Sequence, residues 1–266
     1  MSRLLVCPPD YFAIEYEINP WMRRVNAVNS DQAVRQWHGL MQVLEEEVGA
    51  VLERMRPMPG LPDLVFTANA GIVVGGKAVP SRFRYPERQR EEAYFEDWFR
   101  EQGYEVVTLD PGHFFEGAGD LLRFPDTWFG GYRQRSEVSV FPLLSDMFHR
   151  EIIPLELVDN RFYHLDTCLC PLSGGELLYF PPAFDHYGQE ALAEGIDPAR
   201  RLVVSEVEAL RFACNAVCVG KHVVLPAGCP NTESLLTSHG YFPHPVLLDE
   251  FMKSGGSAKC LTLALD

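Results

Sequence analysis

The sequence has no long apolar run, and no stretch of it approaches the roughly 18 consecutive apolar residues that a membrane-spanning helix needs. The short apolar start, Leu4 to Cys7, is not followed by a signal-peptide cleavage pattern. Long polar or low-complexity tracts are also missing from a chain with 47% hydrophobic and 23% charged residues. We therefore expect a folded, cytoplasmic protein without a membrane anchor.

Positive charge is scarce: 23 Lys and Arg residues stand against 37 Asp and Glu residues, a net charge of −14. This excess would repel nucleic acid and anionic membrane surfaces at long range, so we expect neither as a partner. A small cationic molecule would be attracted instead. Because acidic composition also serves solubility alone, the charge by itself does not identify a ligand.

The seven cysteines are an odd number, and in a chain of 266 residues they do not resemble a small disulfide-stapled domain. Reduced thiols are the expectation. The length exceeds that of a usual single domain, but closed α/β architectures reach it as one unit. We expect one catalytic domain over residues 1–266, and the sequence leaves open whether copies form a homo-oligomer.

Two segments have helical periodicity. The first runs from Ser30 to Arg56, with Ser30 or Asp31 as the N-cap and apolar residues spaced along one face. The second runs from Glu87 to Gln102, where aromatic residues form one face and Gly103 supplies a C-terminal stop. Short strands are predicted between the helices.

Those strands repeat a pattern of polar corner, apolar strand, glycine turn and second apolar strand. Three copies run from Thr67 to Pro80, from His164 to Pro181 and from Cys214 to Pro226, and a looser copy from Glu116 to Tyr132 has Gly130-Gly131 in the glycine position. A hairpin cannot bury its own apolar face, so such units must close on one another as blades of a propeller or barrel do. Closure would bring the polar corners to a common centre: Asn69, Glu116, His164, Asp166 and Asn215.

Cys260 lies between a glycine-rich loop and a last apolar strand, so a loop could expose its thiol while the strand anchors it. A nucleophilic cysteine needs thiolate character, which a cationic substrate beside it can supply. The alternative is a buried structural cysteine, which is the commoner role for a lone cysteine at the start of a strand.

His164 and Asp166 are two residues apart, so on a strand both side chains would project to the same face. An imidazole beside a carboxylate is suited to proton transfer near neutral pH, although a core histidine is an equal alternative. Glu116 is a carboxylate at a glycine-rich turn that a ligand could approach closely; otherwise it is an ordinary loop acid.

Five segments together resemble the guanidino-group-modifying enzymes, which include arginine deiminases, dimethylarginine dimethylaminohydrolases, amidinotransferases and arginine dihydrolases. They span nearly the whole chain in the expected order: residues 66–70, 115–120, 131–136, 164–167 and 255–260. The resemblance implies an α/β fold, the five-bladed pseudo-symmetric α/β propeller called the pentein fold. It implies no metal or cofactor.

The resemblance also implies roles for single residues. Cys260 would attack the guanidinium carbon to form a covalent thiouronium intermediate, and His164 would protonate the departing amine and then activate water. Glu116 and Asp166 would hold the planar guanidinium by charge-assisted hydrogen bonds. The substrate carboxylate would bind Arg135 and, less surely, Arg82 or Arg84.

Residues that differ between members of this family indicate the substrate. Asp166 favours an unsubstituted guanidinium, whereas Asn69 in Thr-Ala-Asn-Ala resembles the arginine dihydrolases, which release two ammonia molecules and an ornithine-type product. The segment from Glu17 to Met22 is also similar to bacterial arginine dihydrolases, which adds Asn19 as a residue that faces the substrate. A neutral amide at position 69 could hold a neutral ureido intermediate for a second attack; alternatively, Asn69 only caps its turn.

Arginine dihydrolase, giving ornithine, ammonia and CO2, is the leading interpretation. The alternatives are a dimethylarginine dimethylaminohydrolase or an arginine deiminase giving citrulline, and then an amidinotransferase or a non-catalytic propeller. A zinc site is a further alternative, although its spacing matches no standard zinc finger: Cys214, Cys218, His222 and Cys229.

Overall fold

The structure, a computed structural model, describes residues 2–125 and 127–266; Met1 and Asp126, which the expected domain includes, lie outside them. In chain order the strands are β1 (Arg3–Val6), β2 (Val51–Arg54), β3 (Gly71–Val74), β4 (Lys77–Pro80), β5 (Glu105–Val106), β6 (Leu121–Arg123), β7 (Trp128–Tyr132), β8 (Ile152–Glu156), β9 (Leu169–Pro171), β10 (Leu177–Tyr179), β11 (Arg201–Val203), β12 (Val217–Val219), β13 (His222–Pro226), β14 (Phe242–Val246) and β15 (Leu263–Ala264).

Within the described residues these strands form five three-stranded sheets, here called blades, with the orders β3-β4-β5, β6-β7-β8, β9-β10-β11, β12-β13-β14 and β15-β1-β2. In each blade the middle strand pairs antiparallel with the first strand and parallel with the third. Parallel neighbours need a crossover connection, and a helix supplies it in every blade.

The helices are α1 (Ser30–Gln42), α2 (Pro86–Glu101), α3 (Val140–Phe148), α4 (His186–Gly195), α5 (Glu206–Ala209), α6 (Pro230–Ser238) and α7 (Asp249–Met252). The crossovers of the five blades contain α1, α2, α3, α4 and α6. No helix in the described ranges combines the length and the apolar character needed to cross a bilayer.

The first strands of all five blades surround a central cavity of about 260 Å³. The fifth blade joins the two ends of the chain, because β1 pairs with β15 through Leu4 with Ala264 and Leu5 with Leu263. This arrangement confirms the predicted five-bladed α/β propeller. The sequence repeat revealed only four copies because the hairpin of the fifth blade is divided between the ends of the chain.

The second predicted helix is confirmed, since α2 spans Pro86–Glu101 and buries Phe95 and Phe99. The first was predicted too long. It is capped by Asn29, whose side chain accepts from the Gln32 N–H at 3.0 Å, and α1 ends at Gln42.

A π-helical turn follows α1 over Val43–Glu47, after which the chain enters β2. Val51 and Leu52 continue the apolar spacing of the helix, but they pair with β1 instead. Pairing within a sheet therefore overrides the helical periodicity here.

The looser hairpin copy was also partly wrong, because Gly130 and Gly131 lie inside β7 and not at the turn. A Cβ on Gly130 would lie 2.6 Å from ring carbons of Phe141, and one on Gly131 would lie 2.7 Å from the Leu165 Cβ. These glycines permit close packing within and between blades.

This packing makes a testable prediction about stability. Gly130→Ala should lower the free energy of unfolding by about 1–3 kcal/mol, because Phe141 cannot accommodate the added methyl group without strain. Gly39→Ala is the matched control: Gly39 lies in α1, and a Cβ added there would meet no heavy atom within 4 Å. The free energy of unfolding of that control should rise by up to ~1 kcal/mol, because alanine has a higher helix propensity than glycine. Chemical denaturation measures both, and equal effects of the two substitutions would contradict the packing argument.

Candidate active site

Each polar corner is hydrogen-bonded to the next, so that the corners form a ring. Asn69 Nδ2 donates to the Glu116 carbonyl at 3.0 Å, the Leu165 N–H to Asp120 Oδ1 at 3.1 Å, and Asn215 Nδ2 to the Asp166 carbonyl at 3.0 Å. The ring is completed by the Cys260 N–H donating to Asn215 Oδ1 at 3.2 Å and the Ala68 N–H donating to the Cys260 carbonyl at 3.1 Å. Irregular buried backbone needs such partners, and here they link all five blades.

Cys260 lies in this ring beside Asp166 and Asn215. Its Sγ is 3.5 Å from Asp166 Oδ2 and 3.1 Å from Asn215 Nδ2. The Asn215 Oδ1 also accepts from the Ser257 N–H at 3.0 Å, so one side-chain amide fixes the loop that carries the thiol. The expectation that this loop exposes Cys260 is wrong, because the residue is only 3% exposed.

Burial and the nearby Asp166 charge raise the pKa of the Cys260 thiol well above its ordinary range, despite hydrogen bonds from Ser257 and Asn215 that lower it. Burial likewise raises the pKa of Asp166 to about 7, against the opposing charge of Lys259 and the hydrogen bonds from Cys260 and Asn215. With no cation bound, the thiol is therefore neutral. A cation placed between Cys260 and Asp166 would favour the ionised form of both groups.

A second group of charges contains His164, Glu116 and Arg135. The His164 Nε2 is 2.7 Å from Glu116 Oε2, and Arg135 Nη1 donates to the same oxygen at 2.9 Å. Burial alone would raise the pKa of Glu116, but the charge of Arg135 and the hydrogen bond and charge of His164 bring that pKa below its usual range. Glu116 is therefore an ionised carboxylate that touches the imidazole.

The expected pairing of His164 with Asp166 is wrong. Residues Leu165–Thr167 form a 3-10 turn and not a strand, so the alternation of a strand does not apply. His164 faces Glu116 on the neighbouring blade, whereas Asp166 faces Cys260. The two carboxylates therefore serve different neighbours.

Asp120 connects the Glu116 corner to the His164 corner. Its Oδ2 accepts from the Ser136 hydroxyl at 2.7 Å, and that hydroxyl oxygen accepts from the Glu116 N–H at 2.9 Å. Burial raises the pKa of Asp120 to about 6, although the charge of His164 and the hydrogen bond from Ser136 lower it. Asp120 thus fixes the positions of both members of the Glu116–His164 pair.

The expected arginines are only partly at the site. Arg135 is buried between the rings of Tyr85 and Tyr163, each 4.7 Å from its guanidinium. Arg82 forms an ion pair with Glu92 at 3.7 Å and has a side chain that is 31% exposed, while Arg84 Nε donates to the Arg135 carbonyl at 2.8 Å.

A small cavity is lined by the predicted site residues Cys260, Asn69, Arg135 and Asn19. Glu116, His164, Asp166, Arg82 and Arg84 are not among its lining residues. Its free volume is about 10 Å³, roughly what one water-sized sphere fills, so a larger molecule needs part of the wall to move. The lining residues are Ile18, Asn19, Met22, Asp63, Phe66, Asn69, Arg88, Arg135, Tyr163, Ser254 and Cys260.

The sequence analysis missed seven lining residues, of which Asp63 and Arg88 are charged. Asp63 Oδ2 accepts from the Tyr16 hydroxyl at 2.9 Å, while Oδ1 has no hydrogen-bond partner among the described residues. Arg88 donates to both oxygens of Glu91, at 3.0 and 2.7 Å, and to Asn69 Oδ1 at 3.0 Å. The Arg88–Glu91 spacing of three residues is typical of exposed helical ion pairs, so nothing in the sequence distinguished it from one.

Asn19 lines the cavity, but its amide is already engaged. The Nδ2 donates to the Ser254 carbonyl at 3.0 Å, and Oδ1 accepts from the N–H groups of Trp21 and Met22 at 2.9 and 3.1 Å. Its hydrogen bonds thus hold the loop around it, and the structure gives no direct support for its predicted contact with a substrate.

The residues of the alternative zinc site do not come together. Among residues 2–125 and 127–266, no group of three or more Cys, His, Asp or Glu side chains has an arrangement that could hold a metal ion. His222 pairs with His244 across β13 and β14, with Nδ1 and Nε2 2.8 Å apart. Cys214, by contrast, is buried in the hydrophobic core.

Comparison with known proteins agrees with the geometry, although no family model matches the chain. The chain is 45% identical over 264 residues to the bifunctional arginine dihydrolase/ornithine cyclodeaminase ArgZ of Synechocystis sp., covering 98% of this chain and 37% of that protein. It is 38% identical over 263 residues to N(G),N(G)-dimethylarginine dimethylaminohydrolase of Mycobacterium tuberculosis, covering 99% of this chain and 85% of that protein.

A solved structure shows the same fold: the N-terminal domain of ArgZ, in an asparagine-to-serine variant covalently bound to a reaction intermediate. It matches with a TM-score of 0.96 at 43% identity, over 100% of this chain and 98% of that one. The chain belongs to the guanidino-group-modifying enzymes, whose motifs it carries in five segments. It spans little more than a third of the length of ArgZ.

The buried Asp166 makes a prediction about pH and stability. Burial raises the pKa of this carboxyl to about 7 in the folded protein, whereas in the unfolded chain it titrates near ~4. Its protonated form therefore favours folding, and this contribution is lost as the pH rises through 7. Asp166→Asn should be more stable than the unsubstituted protein at pH 8, by on the order of a few kcal/mol, and the difference should shrink towards pH 5.

Thermal unfolding across this pH range measures the effect, and Asp146→Asn, at an exposed position of α3, is the matched control. A stability difference for Asp166→Asn that does not change between pH 5 and 8 would contradict the argument.

Proposed function

We propose that this protein is an arginine dihydrolase that converts arginine and two water molecules to ornithine, two ammonia molecules and CO2. The observation that carries the proposal is the orientation of the Asn69 amide. Arg88 can only donate, so Asn69 Oδ1 faces it, and the Nδ2 group is turned towards the Glu116 carbonyl. One N–H of that group remains for a ligand.

That remaining N–H suits the second half of the reaction. Hydrolysis of a guanidinium to a ureido group replaces a nitrogen donor by a carbonyl oxygen, which is an acceptor. Ionised carboxylates such as Glu116 only accept hydrogen bonds and cannot bind that oxygen. Asn69 can donate to it, and it lines the same cavity as Cys260.

In the proposed first half, the guanidinium lies between Asp166 and Glu116, and its charge favours the Cys260 thiolate. Sγ bonds to the guanidinium carbon, and ammonia leaves with a proton from His164. Water, deprotonated by His164, then attacks the same carbon, and the carbon–sulfur bond breaks to give the ureido compound. The covalent intermediate seen in the ArgZ domain supports this route.

In the second half, Cys260 attacks the ureido carbon and ammonia leaves again, which gives an S-thiocarbamate. Water attacks the same carbon and the carbon–sulfur bond breaks, so that Cys260 is freed and a carbamic acid forms, which decomposes to ornithine and CO2. The same His164–Glu116 pair, 2.7 Å apart, would move the protons in both halves.

The far end of the substrate carries an ammonium and a carboxylate. Asp63 Oδ1, buried at the cavity and without a partner among the described residues, suits the ammonium. Arg135 suits the carboxylate, because its described partners, Glu116 and the Ile18 carbonyl, take two of its five N–H groups. Arg88 is the second candidate, whereas Arg82 faces Glu92.

We also propose that residues 1–266 act as one catalytic unit on a small cationic guanidino compound. A cytoplasmic location fits the seven cysteines, all of which are free thiols.

A dimethylarginine dimethylaminohydrolase is the second candidate. It is favoured by the match to the M. tuberculosis enzyme, which covers 85% of that protein's length. The Asp166 carboxylate beside Cys260 argues against it, because a charged acceptor next to the nucleophile suits N–H groups better than N-methyl groups.

The proposed function predicts the products. Purified protein incubated with arginine should release two ammonia molecules per arginine consumed, with ornithine as the main product and no accumulation of citrulline. Dimethylarginine should react more slowly because Asp166 suits N–H groups better than N-methyl groups. An N-acylated arginine should react more slowly because Asp63 favours a free ammonium. Citrulline as the main product would make the protein a deiminase, and dimethylamine released at a higher kcat/KM than any arginine turnover would make it a dimethylarginine hydrolase.

Asn69→Asp should shift the products towards citrulline. A carboxylate there still pairs with Arg88, but it loses the N–H for the ureido oxygen and places an oxygen 3.0 Å from the Glu116 carbonyl. Loss of one such hydrogen bond corresponds to about 0.5–1.5 kcal/mol, which is a roughly 2- to 10-fold lower rate of the second hydrolysis.

Mass spectrometry of the products gives the ratio, with Asn160→Asp, at an exposed position, as the matched control. An unchanged ratio of ornithine to citrulline in Asn69→Asp would show that Asn69 only supports its turn.

A further inference from the structure

The cavity is closed by the segment between β1 and α1, residues 7–29, which has no regular helix or strand. Ile18 and Met22 of this covering segment are buried and line the cavity. Cys260 and Asn69 are buried beneath, and the free volume is about 10 Å³, so arginine cannot enter unless the wall opens. The covering segment is the longest irregular stretch in the wall, although Phe66, Tyr163 and Ser254 also lie outside the helices and strands.

Three hydrogen bonds join the covering segment to other lining residues of the cavity. The Tyr16 hydroxyl donates to Asp63 at 2.9 Å, Arg135 donates to the Ile18 carbonyl at 3.1 Å, and Asn19 donates to the Ser254 carbonyl at 3.0 Å. Asp63 and Arg135 are also the proposed substrate-binding groups. Changing those residues would therefore alter closure and substrate binding together.

Trp21 makes a further connection between the covering segment and the rest of the protein, and it does not itself line the cavity. Its indole Nε1 donates to the Arg161 carbonyl at 2.8 Å, and its ring centroid lies 4.7 Å from that of Phe212. A Cβ on Gly255 would lie 3.0 Å from Trp21, so the indole fits closely against the loop that leads to Cys260. Trp21 thus joins the covering segment to the third and fourth blades without touching the substrate site.

A dihydrolase must retain its neutral intermediate. The guanidinium is held by charge-assisted hydrogen bonds to Glu116 and Asp166, which are about twice as strong as neutral ones. The ureido group has no charge and loses that attraction. The ammonium and carboxylate of this intermediate keep their proposed contacts with Asp63 and Arg135, but those contacts do not hold the ureido end beside Cys260. Retention of that end between the two hydrolyses therefore depends on enclosure as well.

We propose that Trp21, through its bond to the Arg161 carbonyl, keeps the covering segment closed between the two hydrolyses and so determines how much ureido intermediate proceeds to ornithine. Trp21 is a positioning residue, and the proposal rests on the dihydrolase function proposed above. Product release competes with the second attack, so any more frequent opening increases the escape of citrulline.

The test uses Trp21→Phe, which keeps an aromatic ring and removes the donor. Arginine labelled with 13C at the guanidinium carbon is incubated with the protein and an excess of unlabelled citrulline, which dilutes any labelled citrulline that escapes. In the variant, labelled citrulline relative to ornithine should rise roughly 2- to 10-fold, the factor that one hydrogen bond gives. Arginine consumption at saturation should change less than this ratio.

Trp98→Phe is the matched control. Trp98 lies on α2, and its ring stacks near that of Tyr104, away from the covering segment. Its product ratio should equal that of the unsubstituted protein. If Trp21→Phe does not fold, Trp21→Tyr replaces it: it also keeps an aromatic ring and removes the indole donor to the Arg161 carbonyl, and labelled citrulline should rise in the same way.

The outcomes separate the two proposals. If the unsubstituted protein itself accumulates citrulline, the dihydrolase function is wrong, whatever the variant does. If the unsubstituted protein makes ornithine and Trp21→Phe releases no additional labelled citrulline, the role of Trp21 is overturned. A lower thermal stability with an unchanged product ratio also overturns it, because it assigns Trp21 to packing alone.

Discussion

The site depends on the ring of hydrogen bonds between the blade corners. The corners are irregular and buried, so their polar groups must find partners, and each finds them on the next blade. A local change at one corner therefore reaches its neighbour directly. Asn215 shows this most clearly, because one amide contacts the Asp166 carbonyl, the Cys260 thiol and the loop at Ser257. The positions of nucleophile and carboxylate follow from closure of the propeller, which itself depends on pairing between the two ends of the chain.

Within this ring, buried acids outnumber buried bases. The bases of the site are the buried Arg88, Arg135 and His164 and the Lys259 ammonium that opposes Asp166. Five buried carboxylates stand against them: Asp63, Glu91, Glu116, Asp120 and Asp166. Burial raises the pKa of most of these acids, and only Glu116, between Arg135 and His164, has a lowered pKa. A ligand with two positive groups relieves this imbalance. Burial and the Asp166 charge raise the pKa of the Cys260 thiol, so a cationic group beside it would favour the thiolate.

The sequence predicted the fold and four of the residues that line the cavity, Asn19, Asn69, Arg135 and Cys260, for physical reasons that also explain its errors. Repeated corners and glycine turns depend on local spacing, so the blades were recognisable, except for the fifth, whose strands lie at opposite ends of the chain. The exposure of Cys260 and the partner of His164 depend on how neighbouring blades meet, which spacing cannot show. Arg88 was missed because burial, and not its helical spacing to Glu91, distinguishes it from a surface ion pair.

In the reaction proposed above, one pocket would bind first a cation made only of donors and then a neutral group with an acceptor. Fixed carboxylates would serve the first and repel the second. Asp166 could serve both ligands, because burial raises its pKa to about 7. Once hydrolysis removes the guanidinium charge, Asp166 can take up a proton and become a donor near neutral pH. Asn69 is a donor throughout, oriented by Arg88. Glu116, whose pKa is held below its usual range, stays an acceptor for His164. Repeated hydrolysis in one cavity thus requires neighbouring carboxyl groups with separated pKa values, and the ring supplies them through the different partners of each corner.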